Sequence, residues 1–92
     1  MTKSVKFHLE ELESAYKAID KFWQQFGQFG LNIDIETEKS YWQKYFNDFP
    51  EQKKYILAIY ESYQYDNWNN KIPENRDIEL DKRLTEIINF IK

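Results

Sequence analysis

Apolar positions recur along this chain in steps of three and four. Between residues 8 and 29 they fall at Leu9, Leu12, Tyr16, Ile19, Trp23 and Phe26, while Glu10, Glu13, Lys17, Lys21 and Gln24 hold the other face. A period near 3.6 puts such a set on one side of an α-helix. Glu13 and Lys17 stand in the favourable i,i+4 order, and Glu10 and Glu11 lie near the positive end of the helix dipole. Gly27 and Gly30 follow where the pattern stops and are the chain's only glycines, so the principal turn is expected there.

From Glu36 to Asp48 the positions Trp42, Tyr45, Phe46 and Phe49 repeat the helical spacing and predict a short second helix. In DFPE, Asp48 reads as an N-cap, Pro50 as a first-turn residue and Glu51 as the capping-box acid. A third helix is then expected over about residues 49–66, sharply bent at its beginning. NWNNKIPEN, with Pro73, reads as a loop. Asp77 caps a final helix whose core face is Leu80, Leu84, Ile87, Ile88 and Ile91.

The expected fold is therefore all-α: a small four-helix bundle with a short second helix, one domain over residues 1–92. An α+β alternative competes with it. SVKFHL and LNIDI alternate apolar and polar, so residues 3–9 and 31–35 qualify as a minor two-stranded pair. Both runs are short and an isolated two-stranded sheet is marginal, which favours the bundle.

Composition narrows the function classes. Three Trp, seven Tyr and seven Phe give 18% aromatic content, enough large side chains to fill much of so small an interior. With no cysteine there is no disulfide framework, thiolate metal site or thiol nucleophile, and a reducing cytoplasm suits the chain. MTKSVKFHLEEL has no long apolar run, so neither a secretion signal nor a membrane span is expected, and the chain is read as cytoplasmic. The net charge is −3, and the excess is local. Tyr55 to Asp81 holds Glu61, Asp66, Glu74, Asp77, Glu79 and Asp81 against Lys71 and Arg76. The only adjacent basic pairs are Lys53-Lys54 and Lys82-Arg83, too few to displace the counterions of a nucleic acid, so direct nucleic-acid binding is not expected.

Motifs for chemistry are sparse. The single histidine, His8, excludes His-paired metal sites and reads as a capping or surface residue at the start of the first helix. Ser4, Ser14, Ser40 and Ser62 lack a nucleophile-elbow context. Asp34, Glu36 and Glu38 in IDIETEK imitate the start of a calcium loop, but position six is Lys39 and position twelve is Tyr45, so the run reads as a solvated acidic turn. Gly27 and Gly30 lack the following Lys-Ser or Lys-Thr of a phosphate loop. No catalytic residue, metal or cofactor is expected, and the chain is read as a non-enzyme. A small enzyme or ligand-binding bundle with inward-turned carboxylates is the distant alternative, and it requires buried acids beside a closed cavity.

The stretch YILAIYESYQYDNWNN, residues 55–70, holds the functional clue. Ile56, Ile59, Tyr60 and Tyr63 fall in one quadrant of a helix and form a core stripe. Tyr55, Ala58, Ser62 and Tyr65 make a second stripe on another side. One reading packs this stripe on a second neighbouring helix, with Ala58 and Ser62 permitting close approach. The other reading makes Tyr55, Glu61, Ser62, Tyr65, Asp66 and Trp68 a partner-binding surface, because Tyr and Trp are enriched among binding hot spots and an acidic rim steers toward a basic partner. A nuclease toxin or nucleic-acid-binding protein presents such a basic site. In size, charge and aromatic-acidic composition the chain resembles bacterial immunity proteins, antitoxins and phage-encoded inhibitors, a likeness of composition with no shared motif. The function expected on this reading is inhibition by occluding a basic site on a partner protein. The alternative is an assembly module that self-associates as a homo-oligomer or docks into a larger complex.

Overall fold

A computed structural model describes residues 5–27, 33–70 and 72–92, and the side chains of residues 5–8 and 73 lie outside that description. Four helices run through the described residues: α1 (Val5–Phe26), α2 (Ile35–Asp48), α3 (Lys53–Trp68) and α4 (Ile78–Ile91). The fold is all-α. α3 lies against both α1 and α4, and α2 packs on α4. Residues 5–9 belong to α1, Ile33 sits in a bend and Ile35 opens α2, so the two-stranded alternative has no place at those positions. Residues 3, 4, 31 and 32, like Gly30, fall outside the described residues.

Local chemistry explains most boundaries. α1 ends at Gly27, whose φ of 93° is the left-handed region that glycine enters without steric cost, and its N–H donates to the Trp23 carbonyl at 2.7 Å. Asp34 caps α2 by accepting from the Thr37 N–H at 2.9 Å, and those Thr37 hydrogen bonds hold its carboxyl below the usual carboxylate range. Asp77 caps α4 in the same way, from Leu80 N–H at 2.9 Å. The start of α3 differs from expectation. Asp48 is the last residue of α2, not a cap, because the helical ladder continues past it to the Phe49 N–H, which donates to Tyr45 at 2.8 Å. Pro50 then opens a 3₁₀ turn, Pro50–Gln52, and neither this turn nor α3 receives a side-chain cap.

The core is an aromatic cluster faced by aliphatic side chains. Trp42 is fully buried and meets Phe22 (centroids 5.4 Å apart), Phe46 (5.7 Å) and, edge to face, Tyr60 (6.2 Å). Ile56, Ile59, Leu84, Ile87, Ile88 and Ile91 close it from α3 and α4 as expected, with Tyr63 and Leu80 half-buried at its edge. Burial of each such aliphatic side chain stabilises by roughly 1.5–3 kcal/mol. α1 is rotated relative to its expected face. Ala15, Ala18, Ile19 and Phe22 are buried, whereas Leu9 and Tyr16 are exposed. Two alanines let the α1 backbone approach the core, and Phe22 packs there against Tyr41 and Trp42 of α2.

Candidate protein-binding surface

α3 has one face in the core and one open to solvent. Tyr55, assigned by spacing to the second stripe, is only 5% exposed and leaves the surface set. Its hydroxyl donates to Glu11 on α1, and that hydrogen bond, with burial, raises its ionisation above the usual phenol value. The second stripe is thus divided: Tyr55 is the internal contact, while Ala58, Glu61, Ser62, Tyr65, Asp66 and Trp68 are exposed. Tyr65 is 66% and Trp68 55% exposed, and Ile72 and Ile78 after them are also exposed. Glu61, Gln64, Tyr65 and Trp68 line a shallow depression of ≈ 470 Å³.

The end of α3 is tied down from three sides. Asn67, buried between the two exposed aromatics, donates from Nδ2 to the Asp77 carbonyl (3.0 Å) and accepts the Asp77 N–H at Oδ1 (3.1 Å). One side chain thereby joins the last turn of α3 to the cap of α4. The Arg76 guanidinium lies 3.2 Å from the centroid of the Trp68 ring, and its Nη2 reaches Asp81 Oδ2 at 2.7 Å. Gln64 Nε2 donates to Asp81 Oδ1 at 3.2 Å. Burial raises the Asp81 carboxyl, but the hydrogen bonds from Arg76 and Gln64 outweigh it and hold it below the usual carboxylate range. The indole of Trp68 is therefore a fixed platform with one face covered by a cation.

Charge on α3 runs against its dipole. Lys53 and Lys54 stand in its first turn, no base stands in its last turn, and Asp66 lies there instead. Each such placement costs about 0.3–1 kcal/mol relative to the opposite sign. Among the described residues, Glu61, Asp66, Glu74 and Glu79 enter no ion pair, whereas Arg76 is engaged by Asp81.

A polar cluster that spacing did not reveal lies inside the bundle. Glu38 was expected in a solvated acidic turn, yet it is 0% exposed. Arg83 Nε donates to its Oε1 at 2.9 Å, with Nη2 2.8 Å from the same oxygen. The Tyr60 hydroxyl donates to Oε2 at 2.5 Å and itself accepts from Trp42 Nε1 at 3.0 Å. Burial, followed by the Glu38 charge, pushes the Tyr60 phenol well above its usual value. Both Glu38 oxygens are consumed by partners from α3 and α4. The one sequence-level hint is positional: Glu38 lies four residues before Trp42, on the apolar side of α2. The side chain of His8 falls outside the described residues. Among those described, no group of His, Cys, Asp and Glu is placed to hold a metal, and no helix is long and apolar enough to cross a membrane.

Compared with protein families, curated proteins and solved structures, the chain matches none.

Proposed function

We propose that this domain is a non-catalytic protein-binding inhibitor that applies the C-terminal half of α3 to a basic site on another protein, in the manner of an immunity protein, antitoxin or phage-encoded inhibitor. The observation that carries the reading is the presence of two exposed aromatic rings, Tyr65 and Trp68, with Glu61 and Asp66, acids that enter no ion pair among the described residues, on the C-terminal half of a helix held by Asn67 and Arg76. Large aromatics supply the contact area, and the Arg76 contact that holds Trp68 reduces the ordering entropy that ring loses on binding. The acids steer a positive groove into register and disfavour partners of like sign. On this reading the domain would occlude a nuclease or nucleic-acid-binding surface, and no chemical step is needed. The cytoplasm is the compartment proposed for the encounter.

Affinity capture from the source cell, followed by mass spectrometry, tests this. The wild-type chain is expected to retain a basic protein, with retention weakened by salt. A Tyr65→Ala/Asp66→Lys variant of unchanged helical content is expected to lose it. Retention of every partner at unchanged affinity by that variant contradicts the assignment.

A further inference from the structure

The shallow depression on α3 is defined by the hydrogen-bonding groups it offers. At ~100° per residue its lining residues, Glu61, Gln64, Tyr65 and Trp68, fall within one sector of about 100° and form a continuous ridge on the C-terminal half of the helix. Asp66 lies outside that sector. The donors on this ridge are already engaged. Gln64 Nε2 donates to Asp81 Oδ1 at 3.2 Å and to Thr85 Oγ1 at 2.5 Å, both on α4, which fixes the amide and leaves its Oε1 with no donor among the described residues. The indole N–H of Trp68 is among the groups that hold the Asp81 carboxyl down, so it too lies toward α4. Glu61 is exposed and enters no ion pair among the described residues. The depression therefore presents a carboxylate, an amide oxygen and two aromatic rings, and among the described residues no base lines it.

Acceptors and π surfaces grouped in this way are complementary to a cation rich in N–H donors. We infer that the depression binds a guanidinium group, the side chain of an arginine on the partner protein, with Glu61 as its carboxylate, Gln64 Oε1 as a second acceptor and the Tyr65 and Trp68 rings as stacking surfaces. The molecule already contains one instance of this recognition. The Arg76 guanidinium lies 3.2 Å from the Trp68 ring centroid and reaches the Asp81 carboxylate at 2.7 Å, so a ring and a carboxylate together hold it. Glu61 with Tyr65 and Trp68 repeats those parts along the α3 ridge. The ion pair with Asp81 offsets the Arg76 charge and lowers the repulsion that a second cation meets near Trp68. A guanidinium is planar, weakly hydrated and carries its donors in a fork, which suits stacking and paired hydrogen bonds to a carboxylate. An ammonium is a compact, strongly hydrated charge and gains less from the rings.

The inference rests on the reading of this helix end as a contact surface for a basic protein and names the group that the surface takes, but its test needs no such protein. Backbone amide and indole N–H signals of the isotope-labelled chain are followed by NMR while the peptide acetyl-Gly-Arg-Gly-amide is titrated in. The same peptide with lysine, or with citrulline as the neutral isostere, in place of arginine is titrated in parallel. The arginine peptide is expected to give saturable shifts confined to residues 61–68 and the Trp68 indole, with a dissociation constant on the order of millimolar. The lysine peptide is expected to bind more weakly and the citrulline peptide not to saturate. Glu61→Gln, which keeps the side-chain size, is expected to weaken arginine binding at least about fivefold. Glu74→Gln, at an exposed acid outside the depression, is expected to leave it unchanged. Circular dichroism on each variant establishes that the helices persist. The inference is overturned by an arginine peptide that gives no saturable shift, by lysine or citrulline binding as tightly as arginine, or by Glu61→Gln without effect. Arginine binding by a chain that captures no basic protein keeps the site and removes the inhibitor reading. Absent arginine binding, beside capture that Tyr65→Ala/Asp66→Lys abolishes, removes the site and leaves that reading standing.

Discussion

Two clusters in this molecule are built from the same chemistry, a carboxylate, an arginine and an aromatic ring, and differ in where they lie. Glu38, Arg83, Tyr60 and Trp42 join α2, α3 and α4 in the interior. Asp81, Arg76, Trp68 and Gln64 meet at the end of α3 and the start of α4, open to water on one side. Desolvation makes the interior set intolerant of losing a member, since Glu38 is 0% exposed and a charge left unpaired beside it has little water to turn to. The outer set keeps more access to water, with Arg76 25% and Trp68 55% exposed, so its ion pair is expected to stabilise less, and its consequence is the orientation of Trp68. Burial, more than residue type, thus separates a group that holds the fold from one that presents a surface.

The largest expected effect tests the interior side. Glu38→Gln leaves the largely buried Arg83 guanidinium without its counter-charge, and is predicted to destabilise by about 2–4 kcal/mol in chemical denaturation at neutral pH, somewhat below the loss for a fully buried pair. A loss below about 1 kcal/mol would make the two clusters energetically alike and break the comparison. On the surface side, Trp68→Ala is predicted to cost about 2 kcal/mol of partner affinity, roughly thirtyfold, with the bundle still folded. Titration calorimetry with the captured partner reads that change.

Asn67 lies between the two cases, buried yet at the surface end. Asn67→Ala removes two hydrogen bonds to the Asp77 backbone and is predicted to cost about 1–3 kcal/mol, with faster amide exchange at the start of α4 than elsewhere. Equal protection throughout α4 would show that Asn67 does not hold the junction.

The pH responses sharpen the contrast further. Tyr60 keeps its proton in the folded state to higher pH than in the unfolded chain, so its contribution is complete below the ordinary phenol value of ~10 and is lost as pH rises beyond it. Tyr60→Phe is predicted to flatten the alkaline fall in stability, read from denaturation midpoints across that range. Asp81 has the opposite sign and the smallest effect. Its lowered ionisation stabilises above the ordinary carboxylate value of ~4 and is lost as pH falls through the lower folded value. Asp81→Asn is predicted to destabilise by less than about 1 kcal/mol at neutral pH, and the difference from wild type should vanish in acid.

What the linear sequence discloses here is what neighbouring residues decide. The α4 stripe, the Asp77 cap and the turn at Gly27 each follow from side chains within a few positions, and all three are found where spacing puts them. The Glu38–Arg83 pair spans 45 residues and the Tyr55–Glu11 contact 44, so nothing local marks either. Asp48 misled because DFPE satisfies the capping pattern while the α2 ladder runs on to Phe49. Within the candidate surface, periodicity separated two stripes on α3 but did not separate Tyr55 from Tyr65. That distinction depends on α1, which covers the first and not the second.

The exposed end of α3 is proposed to serve contact and the interior cluster stability, and one paired measurement separates the two roles. Unfolding free energy and partner capture are determined side by side for Glu38→Gln and for Tyr65→Ala/Asp66→Lys. The predicted result is a crossed pattern: the first variant loses stability and, at temperatures where it remains folded, keeps the partner, while the second keeps stability and loses the partner. Unchanged capture by the second variant would contradict the account.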